Sequence, residues 1–387
     1  MLQDPRLTKL AKTLVNYSTG VKKGDVVAIY AAPVAMPGVV AVYEEVLRAG
    51  GHPVWMGISD ELDELKLRLG SEDQLKHLSP IELHTIQTID VRIKLWAEEN
   101  SRAYTTVDPA RQAMANAARR EWLNVFMDRE SKGDLRWVGT AYPTIGMAQD
   151  AEMSLSEYAD FVFRAGLLDH PDPAASWRKI HEKQQSLCEW LNTKKDVRFR
   201  APACDGHDGT DLRVSVDGSN WVNCAGDSNF PDGEVFAGPK GVEGHVNYTF
   251  PACYMGREVA GVRLAFQGGR VVDARASKNE DYLFKMLDQD AGARTLGEIA
   301  IGTNYAIKKF MRNTLFDEKI GGTFHAAVGA GYPISGNSNQ SALHWDMVCD
   351  LRPRAALNGQ GIGGGTIEAD GEVFHKDGNF LRPEWRF

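Results

Sequence analysis

The chain reads as two domains, an α/β N-terminal domain with a parallel sheet covered by helices and an α+β C-terminal domain rich in antiparallel strands. Three observations predict this. Residues 26–58 run strand, helix, strand, an order that favours parallel pairing with helices on the sheet. After about residue 195 the texture changes to short alternating strands separated by Asp-Gly and Gly-Gly turns. The length, 387 residues, suits two domains. The expected division is 1–194 and 195–387.

In the first domain, Asp4 and Pro5 suit the cap and first position of a helix whose apolar stripe is Leu7, Leu10, Ala11, Leu14 and Val15, with Gly20 past its end. Residues 26–43 carry no charge, yet Pro33 and Pro37-Gly38 split them into a strand, a turn and a helix start, so a buried β-turn-α unit is expected and not a membrane span. That helix occupies 38–49 and stops at Gly50-Gly51, and residues 54–58 form the next strand. Ile89, Val91, Ile93 and Leu95 alternate with Asp90, Arg92 and Lys94, the pattern of a strand with one polar face. A helix is expected over 110–129 and a strand over 137–141. Ser154-x-x-Glu157 is a capping box, and the helix it opens ends at Gly166. A long charged helix over 177–192 leads out of the domain.

In the second domain, Leu212, Val214 and Val216 followed by Asp217-Gly218 predict one hairpin. Val259 to Phe266, Gly268-Gly269 and Val271-Val272 predict a second. Helices are expected over 281–287 and 304–312. No internal repeat, low-complexity tract or flexible linker is found.

Net charge is −8 without a long basic run, which argues against a nucleic-acid partner. Five scattered cysteines, Cys188, Cys204, Cys224, Cys253 and Cys349, include no CxxC pair and fit reduced thiols in a cytoplasmic setting. The first residues, Met1-Leu2-Gln3-Asp4-Pro5, lack the features of a signal peptide.

His344 and Asp346 lie two apart in an apolar run with Leu343, Trp345, Met347 and Val348, so on a strand they project from one face. An imidazole and a carboxylate facing one way in apolar surroundings call for a partner, and a divalent metal or a buried ion pair would supply it. Three further groups lie upstream. Glu234 follows a turn-rich stretch and by default is solvent-exposed. Glu298 is followed by Ile299 and Ile301, which favour burial, so a lone carboxylate there is uncomfortable. His325 follows Gly321-Gly322-Thr323-Phe324, and its ordinary reading is a core histidine bonded to backbone carbonyls. Together these three carboxylates and two histidines match what a pair of divalent ions requires. Gly359 to Gly365 formally matches GxGxxG, but no βαβ unit follows it, so a nucleotide site is not expected. Cys204 and His207 lack the second half of a zinc site.

The motifs GEVFAGP, LGEIAIGTN, EKIGGTFH, AVGAGYP and SALHWDMVCDL closely resemble those of the M29 family of metalloaminopeptidases, the thermophilic or aminopeptidase T group. The likeness continues at IDVRIKLWAEEN and YPTIGMAQDAEMSLSEYADFVFRA, so it spans most of the chain. It implies metal ligands at Glu234, Glu298, His325, His344 and Asp346, and an active-site tyrosine at Tyr332. It further implies two divalent ions per chain (zinc, cobalt or manganese), a hydroxide activated by both, and removal of N-terminal residues from peptides with a free N-terminus. Tyr332 would donate to the oxyanion, and Glu234 or Glu298 would carry the proton to the leaving amine. Relatives are homodimers, so a cytoplasmic homodimer without membrane or nucleic-acid partners is expected. The rival reading is a mononuclear non-haem iron dioxygenase of the dihydroxypyridine ring-cleaving type, in which His325, His344 and Asp346 form a facial triad. A third, non-catalytic reading is disfavoured because all five ligand types are present.

Overall fold

The computed structural model describes residues 4–203, 207–255, 257–353 and 363–387. The chain divides into two compact units, Met1–Ala175 with Gly226–Pro231, and Ser176–Ala225 with Asp232–Phe387.

In the first unit, Asp4 caps the helix Pro5–Lys12 by accepting the Arg6 N–H, and Leu7, Leu10 and Ala11 are its buried face. Strands Val26–Ala31, His52–Gly57, Val91–Trp96 and Arg136–Ala141 pair in parallel, in the spatial order second, first, third, fourth. The short strand Asn229–Phe230 returns from later in the sequence to pair in parallel with Arg136–Ala141. The uncharged stretch is a strand, a 3-10 turn at Pro33–Ala35 and the helix Met36–Ala49, which ends where Gly50 takes φ +84°. No helix among the described residues is long and apolar enough to cross a membrane. Both capping-box bonds of Ser154 and Glu157 are present. The helix expected over 110–129 is two, Pro109–Ala118 and Arg120–Ser131, because Arg119 leaves helical geometry at φ −84°, ψ 1° and its N–H turns back to Asn116 and Ala117.

In the second unit the helix Pro173–Leu191 buries Leu187, Cys188 and Leu191 in the same core as the strands that follow. The contact division therefore falls near the start of this helix, at Ser176, whereas the change in sequence texture marks the first strand, Asp196–Ala201. An eight-stranded antiparallel sheet and a five-stranded antiparallel sheet enclose that core. The Gly268-Gly269 hairpin joins Arg263–Gln267 to Arg270–Arg275, with both glycines at positive φ. Asp217-Gly218 does turn the chain, but not into a hairpin: Thr210–Ser215 pairs with Asp196–Ala201 and Gly241–Asn247, and the strand after the turn, Val222–Cys224, joins the other sheet. Residues 304–312 form turns, not a helix. Asn304 pins them by bridging to Ile320 and by accepting the Ala306 N–H on its side chain, which gives the backbone another partner. Residues 363–365 lead into the strand Thr366–Ala369, while Gly359 to Ile362 and Cys204 lie outside the described residues.

Candidate metal centre

The five-stranded antiparallel sheet carries every site residue expected from the sequence except Tyr332. Its order is His344–Asp350, Thr323–Gly329, Leu296–Gly302, Glu234–Ala237, Val222–Cys224. Residues directly opposite across strands share a face. Glu298 and Asp346 both pair with Ala327, His325 pairs with Ala300, and Glu234 pairs with Gly302. The site face therefore holds Glu234, Glu298, His325, His344 and Asp346 around the small residues Ala300, Gly302 and Ala327. The other face sends Ile299, Ile301, Phe324, Ala326, Val328, Trp345 and Met347 into the core. Alternation on four rigid strands thus separates chemistry from packing.

The groups converge closely. His325 Nε2 lies 3.1 Å from Glu298 Oε1, 3.4 Å from Glu234 Oε2 and 3.9 Å from Asp346 Oδ1. His344 Nε2 lies 3.4 Å from Asp346 Oδ1. His325 Nδ1 sits 3.0 Å from the Glu318 carbonyl and His344 Nδ1 2.8 Å from the Ala330 carbonyl. A carbonyl only accepts, so each Nδ1 carries a hydrogen and each Nε2 is aimed at the carboxylates. The backbone-bonded core histidine expected at His325 is half right: Nδ1 meets a main-chain carbonyl, whereas Nε2 is hydrogen-bonded to the Glu298 carboxylate.

Glu234 is not an exposed loop residue; it is 7 % exposed and begins a strand. Buried Gln184 holds its backbone, donating to the Glu234 carbonyl at 2.8 Å. Burial pushes the Glu234 carboxyl up to about 8, against the pull of Lys319. Burial opposes charge on His325, but the hydrogen bond to Glu298 and the charges of Glu234 and Asp346 outweigh it and raise the ring to about 9. For His344, burial is likewise outweighed by Asp346, raising it to about 10. Asp346 is held well below the usual carboxylate range: burial pushes it up, and the charge and hydrogen bond of His344 more than reverse this.

Tyr332 stands on the loop after Gly329, 41 % exposed, with its ring edge-on to His344 at 5.1 Å and to Phe236 at 5.8 Å. Partial burial and then the nearby carboxylates hold its hydroxyl pKa above the ordinary value, so the group keeps its proton.

Two residues escaped the sequence reading. Glu318 forms a third possible ligand group with His325 and Asp346, and Lys319 is wholly buried against Glu234 and Glu318. Both lie in the EKIGGTFH motif, but adjacent charges ahead of a glycine pair read as a solvated turn. No periodicity marks them as buried.

The donor set fits divalent ions. Glu234, Glu298 and His325 form one cluster of ligand atoms within 4.8 Å of one another, and Glu298, His344 and Asp346 form a second. Glu234 Oε2 is buried and accepts no hydrogen bond, an orphaned acceptor of the kind that a cation satisfies. Mixed carboxylate and imidazole donors suit zinc, cobalt and manganese.

Comparison with known proteins agrees with this chemistry. The chain is 27% identical to aminopeptidase 2 of Geobacillus stearothermophilus over 418 residues, covering 97% of this chain and 98% of that protein. It is 32% identical to aminopeptidase T of Thermus thermophilus over 217 residues, about half of each chain (51% and 49%). The solved structure of wild-type AmpT from Thermus thermophilus shares the fold, with a TM-score of 0.80 at 24% identity, covering 98% of this chain and 99% of that one. The ring-cleaving dioxygenase reading finds no support in these relatives, and the chain is a metalloaminopeptidase, a hydrolase of the exopeptidase class. The profile of the thermophilic metalloprotease (M29) family matches residues 3–380, so the chain belongs to the M29 family.

Proposed function

We propose that this enzyme removes N-terminal residues from peptides with a free N-terminus, using two divalent ions held by Glu234, Glu298, His325, His344 and Asp346. The observation that carries the reading is the pair of ligand clusters sharing Glu298, one with Glu234 and His325, the other with His344 and Asp346. Glu298, common to both clusters, would help to hold both ions. Bound there, two ions supply Lewis acidity and an activated hydroxide near neutral pH.

The protein's own groups do the rest. The carbonyls of Glu318 and Ala330 fix both imidazole rings, so Nε2 stays aimed at the site without a rotameric search. Tyr332 keeps its proton and offers its O–H to the oxyanion that develops on the scissile carbonyl. Glu234 and Glu298 are the carboxylates proposed to pass the proton to the leaving amine. A cytoplasmic homodimer, as the family resemblance implies, is part of the same proposal.

The test is to assay metal-stripped protein on leucine and arginine anilides after adding cobalt, manganese or zinc, and to count bound metal. Two ions per chain with release of the terminal residue is the expected result. One ion per chain, or no cleavage with any of the three metals, overturns the proposal.

A further inference from the structure

Lys319 has no exposed surface, and its ammonium faces three carboxylates. It lies 3.1 Å from Glu234 Oε1 and 3.7 Å from Asp232 Oδ1, and it donates to Glu318 Oε1. The two oxygens of Glu234 are thereby divided. Oε1 accepts from Lys319, whereas Oε2 accepts no hydrogen bond and lies 3.4 Å from His325 Nε2.

The ammonium is itself held in place. The Lys319 carbonyl accepts the Asn304 N–H at 3.0 Å, the Asn304 side chain donates to the Asp232 carbonyl at 2.8 Å, and the Asn304 carbonyl accepts the Gly321 N–H at 2.9 Å. One asparagine therefore ties the segment that carries Lys319 to the segment that carries Glu234.

From this geometry we propose that Lys319 is a positioning residue: it occupies one oxygen of Glu234 so that the other alone is presented toward Glu298 and His325. The inference rests on the metal-binding reading above and assigns a role to a residue outside the ligand set. A lysine beside cation ligands presents a choice between two effects. As a bare positive charge it repels the incoming ion, and its removal tightens metal binding. As a positioning group it restricts a carboxylate that otherwise swings or chelates, and its removal weakens metal binding. The bonded, fully buried placement favours the second effect.

The experiment is calorimetric titration of metal-stripped wild type and Lys319→Met with cobalt or zinc, together with thermal unfolding of each. The expected result is affinity lowered by about 10–100-fold for at least one ion. Unchanged or tighter binding overturns the proposal. If Lys319→Met fails to fold because three buried carboxylates lose their counter-charge, the double variant Lys319→Met with Asp232→Asn keeps net charge constant and leaves every ligand cluster intact. It should show the same weakening, and wild-type affinity in that variant overturns the proposal. Peptide cleavage by wild type, measured on the same preparations, separates the two readings. Wild type that binds metal without cleaving peptides defeats the peptidase mechanism but leaves the Lys319 result readable from affinity. Wild type that binds no ion overturns both.

Discussion

His325 and Glu318 are joined by a hydrogen bond from the ring Nδ1–H to the main-chain carbonyl, 3.0 Å long, within one connected stretch of chain. The bond locks the tautomer of a ring that has no exposed surface and sends Nε2 toward Glu298 and Glu234. Much of the site's behaviour follows from rings fixed in this way.

Glu298 belongs to both ligand clusters, so its loss disturbs both. Glu298→Gln is expected to reduce peptidase activity by at least about 100-fold while circular dichroism and the unfolding transition stay close to wild type. Near-normal cleavage by the variant removes Glu298 from the mechanism.

Metal loading is expected to release protons. In the metal-free protein His325 and His344 are raised to about 9 and about 10, so both rings hold their second proton at pH 7.5. The sign follows: a ligand must deprotonate to bind, so metal affinity rises with pH up to those values and falls below them, by about tenfold per pH unit for each displaced proton. Glu234, pushed up to about 8, adds most of a third proton, so calorimetry at pH 7.5 in buffers of different ionisation enthalpy should report between two and three protons released. A buffer-independent heat contradicts this.

Tyr332 packs against His344 but is not itself in a ligand cluster. Tyr332→Phe should lower kcat by about 10²–10³-fold and leave metal stoichiometry intact. A change in metal content without a change in kcat places the residue in metal binding instead.

Far along the same unit, His375 is fully buried, and burial depresses its pKa to about 3 although Gly378 opposes the shift slightly. Here the sign is that of a neutral buried base. Its contribution is intact above the unfolded value of about 6.5 and is lost as pH falls from there toward 3, at about 1.4 kcal/mol per unit. His375→Leu should flatten the stability–pH curve in that window in urea titrations. An unchanged slope refutes it.

The sequence exposed these relationships unevenly. The alternation at His344, Trp345 and Asp346 suffices to put two ligands on one face, because strand geometry is local. Capping pairs such as Ser154 and Glu157 are equally local. The failures involve partners far apart in sequence. Residues 304–312 carry an acceptable helical pattern, but Asn304 bonds across to the strand region near Ile320, and local propensity yields to that contact. The charges of Glu318 and Lys319 are buried only because Glu234 and Asp232, some 85 positions earlier, come to meet them. The gathering of the ligands was legible chiefly through family motifs, since no spacing rule links Glu234 to Glu298 or His325.

The strands that hold the ligands also hold the core, one residue out of phase. Trp345 sits between His344 and Asp346 and points the opposite way. Any repacking that tilts that strand to accommodate a different side chain behind it also shifts the imidazole and carboxylate in front. An engineer seeking a hardier variant by redesigning the interior would be retuning the catalyst at the same time, with no buffer layer between the two. Safer adjustments lie in the parallel-sheet unit, whose strands carry none of the ligands.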